Sequence, residues 1–120
     1  MGAVAKSGSL EGLVQEYLGR SHRDRPETGC VFAALGSEIA RLSRKTRSVL
    51  TGELSAFLDL VAGELPEQIP TERRRKALQI VSVLVGSLQL ARAIDDQDLS
   101  DGILNAGRLA ALVLAESESN

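Results

Sequence analysis

The chain is 120 residues long, room for one domain. Its 43% hydrophobic and 25% charged composition excludes disorder, and a net charge of −2 with an isoelectric point near 5.4 excludes a global pull towards nucleic acid or anionic membrane. One cysteine excludes an internal disulfide framework and fits a reducing, cytoplasmic setting, and the start, MGAVAKSGS, lacks the basic segment and apolar run of a signal peptide.

Residues 1–9 are expected to be a flexible or residual linker, 10–116 one domain, and 117–120 a frayed tail. Hairpin turns and extended period-two alternation are missing from the sequence, while helical spacing recurs throughout. The expected fold class is therefore all-α, a five-helix bundle-like domain. Leu10, Leu13, Val14, Tyr17 and Leu18 line one face of a first helix, with Ser9 as N-cap and Gly19 as stop. A polar loop is expected from Arg20 to Gly29. Val31, Leu35, Ile39 and Leu42 mark a second helix. Ser43 caps a third, lined by Leu50, Leu54, Phe57, Leu58, Val61 and Leu65. Pro66 and Pro70 bracket a linker. Thr71 is the expected cap of the fourth helix, and Ser100 or Asp101 that of the fifth, after the break at Asp95, Asp96 and Asp98.

The fourth and fifth helices are the most apolar. Ala77–Ile94 carries apolar residues around most of its circumference, and Ile103–Ala115 follows suit. A chain this short builds few layers and struggles to bury both. Gln79, Ser82, Gly86, Gln89 and Ala93 fall on one seam at steps of 3, 4, 3 and 4, and Ala106, Gly107, Ala110 and Ala111 offer small residues on the last helix. Two antiparallel copies of this helix pair would close an intermolecular four-helix bundle, so a homodimer is expected through these residues. The same small residues also suit packing inside one protomer. The polar residues Gln79, Ser82, Gln89 and Arg92 argue against reading the stretch as a membrane span.

Catalytic and metal chemistry find little support. The single histidine, His22, sits in a charged loop with Cys30 eight residues on, a spacing that matches no hydrolase arrangement. His22 reads as a loop-packing residue and Cys30 as a small buried apolar group. One Cys and one His cannot build a structural zinc site, and Glu27, Glu38, Glu53 and Glu64 lack the Glu-x-x-His partners of a di-iron bundle. No phosphate-binding glycine loop occurs. Neither an enzyme nor a cofactor is expected. The basic clusters Arg41, Arg44, Lys45, Arg47 and Arg73–Lys76 lie outside any helix-turn-helix and read as solvated helix ends.

The stretch HRDRPETGCVFAALGSEIAR, with LVQEYL before it and VLVGSLQLARAIDDQDLSDGIL after, resembles the C-terminal region of TetR-type transcriptional regulators. His22, Pro26, Gly29–Cys30, Ala34, Glu38 and Ala40–Arg41 occur in order, followed by Val85–Gly86, Leu90–Arg92 and Asp95–Asp96; the likeness runs from Leu10 to Ala115. It implies a domain that binds a small effector and dimerises through its last two long helices. The family's helix-turn-helix is missing from this chain, so operator DNA is expected to be met only through a reader that residues 1–9 are too few to supply. The runner-up is a stand-alone helical dimerisation or interaction protein.

An effector cleft between helices would be apolar with a few orienting polar groups. Tyr17, Phe32, Leu35, Leu54, Phe57, Leu58, Val61, Val81 and Leu84 are the candidate walls, and Glu38 the candidate orienting group or a partner for Arg41 or Arg92. With two Phe, one Tyr and no Trp, the lining is mainly aliphatic and points to an apolar or amphiphilic effector. The same hydrophobes would serve equally as ordinary core.

Overall fold

The computed structural model describes residues 9–25 and 43–117. These residues are all helix and connecting turn, an all-α fold with five helices: α1 (Leu10–Tyr17), α2 (Arg20–Asp24), α3 (Arg44–Ala62), α4 (Pro70–Ala93) and α5 (Gln97–Glu116). The expected helix through Val31 and Leu42, together with Cys30, Phe32, Leu35, Glu38 and Arg41, lies outside the described residues, as do residues 1–8 and 118–120.

Local chemistry sets most of the boundaries. The Ser9 hydroxyl accepts from the Gly12 amide at 3.0 Å, and the Ser43 hydroxyl accepts from Thr46 at 3.2 Å. Each satisfies an amide that the first helical turn leaves without an intrahelical partner. Three expectations need correction. The stretch after Gly19 is not loop from the outset: Arg20–Asp24 winds into one short helix. Thr71 does not cap α4, which starts a residue earlier with Pro70 at its first position, where a missing amide proton costs nothing. Asp96, rather than Ser100 or Asp101, caps α5, its carboxylate accepting from the Leu99 amide at 3.1 Å. Competition among neighbouring cap-formers was settled by where the chain turns, and it freed Ser100 and Asp101 for tertiary contacts.

Helix α4 is the spine. It packs along α5 on one side and α3 on the other, with α1 against α4 and α5 and α2 against the end of α4. Ser100 meets the Ala91 carbonyl and Lys76 reaches Ser117, so α4 and α5 run antiparallel along their length. The core joins Leu13, Val14, Tyr17 and Leu18 of the first helix and its cap to Phe57, Leu58 and Val61 of α3 and to Ala77, Ile80, Val81, Leu84, Leu88 and Ala91 of α4. Leu104 and Ala111 close it from α5. Leu84 is fully buried, and its truncation to alanine is worth about 2–5 kcal/mol by the usual cavity cost.

Gly107 shows why α5 can lie so close. A β-carbon there would meet the Ser87 hydroxyl at 2.4 Å, the Ser87 β-carbon at 2.6 Å and a Leu18 methyl at 2.9 Å. The bare backbone is what lets α5 pack on α4 and α1 together. No described helix is long and apolar enough to cross a membrane.

Candidate functional site

Three places in the described residues carry more than ordinary packing: an aromatic core, a polar clasp at the α4–α5 corner, and the outer face of α4 and α5. The aromatic core is where the candidate effector walls gather. Tyr17 of α1 stacks on Phe57 of α3 with ring centres 5.3 Å apart, and the His22 ring meets the Tyr17 edge at 4.7 Å. Phe57, Leu58, Val61, Val81 and Leu84 are buried around this pair, and Leu54 is half-buried beside it. Seven of the ten candidates are thus brought to one cluster where α1, α3 and α4 converge. Phe32, Leu35 and Glu38 lie outside the described residues.

His22 is part of that cluster rather than a loop residue. Its Nδ1 lies 2.6 Å from the Tyr17 carbonyl oxygen, and since a carbonyl only accepts, Nδ1 carries the proton. Burial pushes the imidazole pKa below its ordinary value of 6.5, against the raising effect of the Tyr17 hydrogen bond; the nearby Arg92 guanidinium lowers it further. Neutral imidazole is the form this environment prefers.

Two arginines cross at the corner where α4 turns into α5. Arg23 of α2 is buried, and its guanidinium donates to the Asp101 carboxylate at 2.7 Å, the Ser100 hydroxyl at 2.9 Å and Asp24 at 2.9 Å. The Ser100 hydroxyl in turn donates a hydrogen bond to the Ala91 carbonyl at 2.6 Å. In return, Arg92 of α4 donates to the carbonyls of His22 at 2.7 Å and Arg23 at 3.1 Å at the C-terminal end of α2, the first of which also accepts from the Arg25 amide at 3.3 Å. Arg20 adds a second, exposed bond to Asp101 at 2.8 Å. The hydrogen bonds that Arg23 donates to Asp24 and Asp101 hold it firmly charged, and the Arg23 bond holds Asp101 below the usual carboxylate range. A five-residue helix has little stability of its own, and this reciprocal grip is what seats it.

Sequence reasoning missed this clasp. Arg23 and Arg92 stood in stretches that looked like charged loop and polar interruption, and the only available signal was a run of charges at both ends of a predicted turn. Lys76 was likewise placed among solvated helix-end cations and is corrected here. It is buried, donating to Glu67 and to the Ser117 carbonyl, and so ties the end of α5 to the start of α4. Arg44, Lys45, Arg47, Arg74 and Arg75 are exposed, as read from the sequence.

The outer face of α4 and α5 collects most of the candidate interface residues. Gln79, Ser82 and Ala93 are exposed and Gly86 and Gln89 half-exposed on α4; Ala106 and Ala110 are exposed on α5. Gly107 and Ala111 differ: both are buried within the protomer, because their small size is used up in the α4–α5 contact. Larger apolar side chains that the sequence reading passed over join the face, among them Leu90, 57% exposed, and Leu99, Leu109 and Val113 at 53%, 58% and 66%. Leu99, Gly102, Ala106, Leu109 and Val113 recur at steps of 3, 4, 3 and 4, one uncharged stripe along α5.

The few charged residues on these stretches are turned to partners within the protomer. Between Leu78 and Ala93 the one charged residue is Arg92, which turns to α2. Between Leu99 and Ala115 the charged residues are Asp101 and Arg108, and they turn to Arg23 and to the Leu18 carbonyl. Leu90, Leu99, Leu109 and Val113 thus stand exposed on a stretch whose charged residues are turned inward. Comparison of the chain with protein-family models, with curated proteins and with solved structures gives no match.

Proposed function

We propose that this chain is the effector-binding and dimerisation domain of a TetR-type transcriptional regulator, a cytoplasmic homodimer without catalytic activity. The observation that carries the reading is the uncharged outer face of α4 and α5, on the same last two helices through which the resembling regulators dimerise. The effector would be a small apolar or amphiphilic molecule held where α1, α3 and α4 converge, against Tyr17, Leu54, Phe57, Leu58, Val61, Val81 and Leu84. It would act by favouring one of two arrangements of the dimer helices, since a ligand shifts an equilibrium only through differential affinity. Operator DNA would be reached only through a helix-turn-helix that this chain does not contain.

A stand-alone helical dimerisation protein is the second reading. It draws on the close packing of those same seven candidates into one core with the Tyr17–Phe57 stack at its centre. Native mass spectrometry of the product from its source cells separates the two. The regulator reading expects a dimer whose protomer exceeds 12.8 kDa by the ~50 residues of a small reader domain. A dimer of 12.8 kDa protomers moves the assignment to the interaction protein, and a monomer at all concentrations sinks both.

A further inference from the structure

Helix α2 is the described helix without an apolar side chain. Its residues are Arg20, Ser21, His22, Arg23 and Asp24, and Arg23 is the buried one. A helix this short does not hold itself, and segments that bury little apolar surface are the first to open. The seat of α2 is polar. Arg23 lies on Asp101 and Ser100, Arg92 on the His22 and Arg23 carbonyls, and the His22 ring on Tyr17.

His22 is where proton uptake and this seat meet. Its Nδ1–H already donates to the Tyr17 carbonyl at 2.6 Å, so a further proton enters at Nε2 and makes the ring a cation. The carbonyl of the same residue accepts from Arg92 at 2.7 Å, which keeps a fixed positive charge near the ring.

The other charges around the ring do little to offset it. Glu16 of α1 favours the cation but is exposed, so solvent screens it. Asp24 of α2 and Asp101 of α5 are already taken up by Arg23 and Arg20. Arg108 of α5 sits on the Leu18 carbonyl and adds positive charge, and the amino-terminal charge also opposes the imidazolium. Into the same cluster α3 sends Phe57, Leu58 and Val61, which are apolar.

We infer that α2 is an acid-released latch: a proton on His22 lifts Arg20–Asp24 off the α4–α5 corner while the other helices stay packed. In the closed form, burial and then Arg92 hold the imidazole below its ordinary 6.5, and release into water removes both effects. The open form therefore takes up the proton more readily, and opening grows as pH falls below 6.5. Asp101 stays ionised over that range, since its bond to Arg23 holds the carboxyl below the ordinary 3.8. Release frees Arg92, Ser100 and Asp101 from α2 and uncovers the Tyr17 edge on which the His22 ring lies.

Amide hydrogen exchange in the full 120-residue chain at pH 7.5 and 5.5 tests the latch. The reporting amides are Arg23, bonded to the Gly19 carbonyl, and Arg25, bonded to that of His22. Corrected for intrinsic rates, both are expected to open more often than the amides of fully buried Leu84 and Leu88 in α4. Their opening should also grow several-fold on acidification, towards a ceiling of about tenfold for an imidazole that reaches its ordinary pKa only when released. If Arg23 and Arg25 open no more often than Leu84 and Leu88, α2 leaves only with the whole domain and the inference is overturned. His22→Gln should abolish the growth, and the same growth in that variant overturns the assignment to His22. The chain holds one histidine, so its imidazole is read directly by proton NMR even where the variant does not fold. Titration at or above 6.5 in the intact protein overturns the inference. Asp101→Asn weakens the seat and leaves the imidazole in place, so it should raise α2 opening at both pH values. Unchanged opening there means that the corner does not hold α2, and the latch falls.

Discussion

Gly107 and Gly86 are both helix-interior glycines on adjacent, packed helices, and what surrounds them is opposite. At Gly107 a β-carbon would strike Ser87 and Leu18; at Gly86 it would strike nothing. The same contrast runs along the two faces of the α4–α5 pair. The inner face is filled by leucine, isoleucine, valine and alanine to near-complete exclusion of solvent, while the outer face keeps Leu78, Leu90, Leu99, Leu109 and Val113 in water. Small residues therefore carry two meanings on one helix pair. Inward they are consumed by packing within the protomer, and outward, at Gly86, no atom of the protomer fills the space.

The sharpest way to break that contrast is to fill the inner position. Gly107→Leu is expected to cost about 3 kcal/mol through overpacking, read as a lower urea midpoint at unchanged slope. An equal loss from Gly86→Leu, measured at concentrations where the protein is monomeric, would erase the distinction between the two glycines. Next in size is Ser100→Ala. The hydroxyl is buried between the Arg23 guanidinium and the Ala91 carbonyl, so its removal leaves the carbonyl without that donor at a cost of about 1–2 kcal/mol. Hydrogen exchange should place the loss first in Arg20–Asp24, the helix with the fewest interactions of its own.

Gly86→Ala is the smaller and opposite test. In the monomer it should raise stability by about 0.5–1 kcal/mol, from helix propensity alone, because the added methyl meets no atom of the protomer. Stability falling in the dilute protein would mean that the open face is not open.

The last prediction concerns pH. His22 binds its proton less readily when folded than when unfolded, because burial disfavours the imidazolium. The unfolded chain therefore takes up more protons, and stability rises with pH across this window. The contribution is complete above the unfolded value near 6.5 and is lost as pH falls below it through the lower folded value. Asp101 adds a second loss in more acid solution, as pH falls below the ordinary aspartate value of 3.8 and its bond to Arg23 is protonated away. Melting temperatures at pH 7.5 and 5.5 for the original protein and for His22→Gln check the first window: the difference should shrink in the variant.

The candidate site was legible to different depths in different places. The aromatic and aliphatic cluster of Tyr17, Phe57, Leu58, Val61, Val81 and Leu84 could be read because helical spacing puts each of them on an inward face. The exposed seam of Gln79, Ser82 and Ala93 could be read for the same reason. The clasp could not. Arg23 and Asp101 are 78 residues apart, and neither has any local pattern that singles it out from the other charged residues in its turn. Gly107 and Ala111, expected at the interface, are buried within the protomer, because small size says that something comes close and is silent about which chain it belongs to.

The positions of α1, α3, α4 and α5, two of the serine caps and the all-α class followed from the order of residues alone, because hydrogen bonding within a helix and capping by a neighbour three residues away are local interactions. The choice among competing caps at Asp96, Ser100 and Asp101, the burial of Lys76 against Glu67 and Ser117, and the reciprocal arginines at the corner were decided only when the helices packed. Those contacts join residues distant in sequence, and a charged side chain carries no mark of the partner that will bury it until the backbone brings that partner within reach.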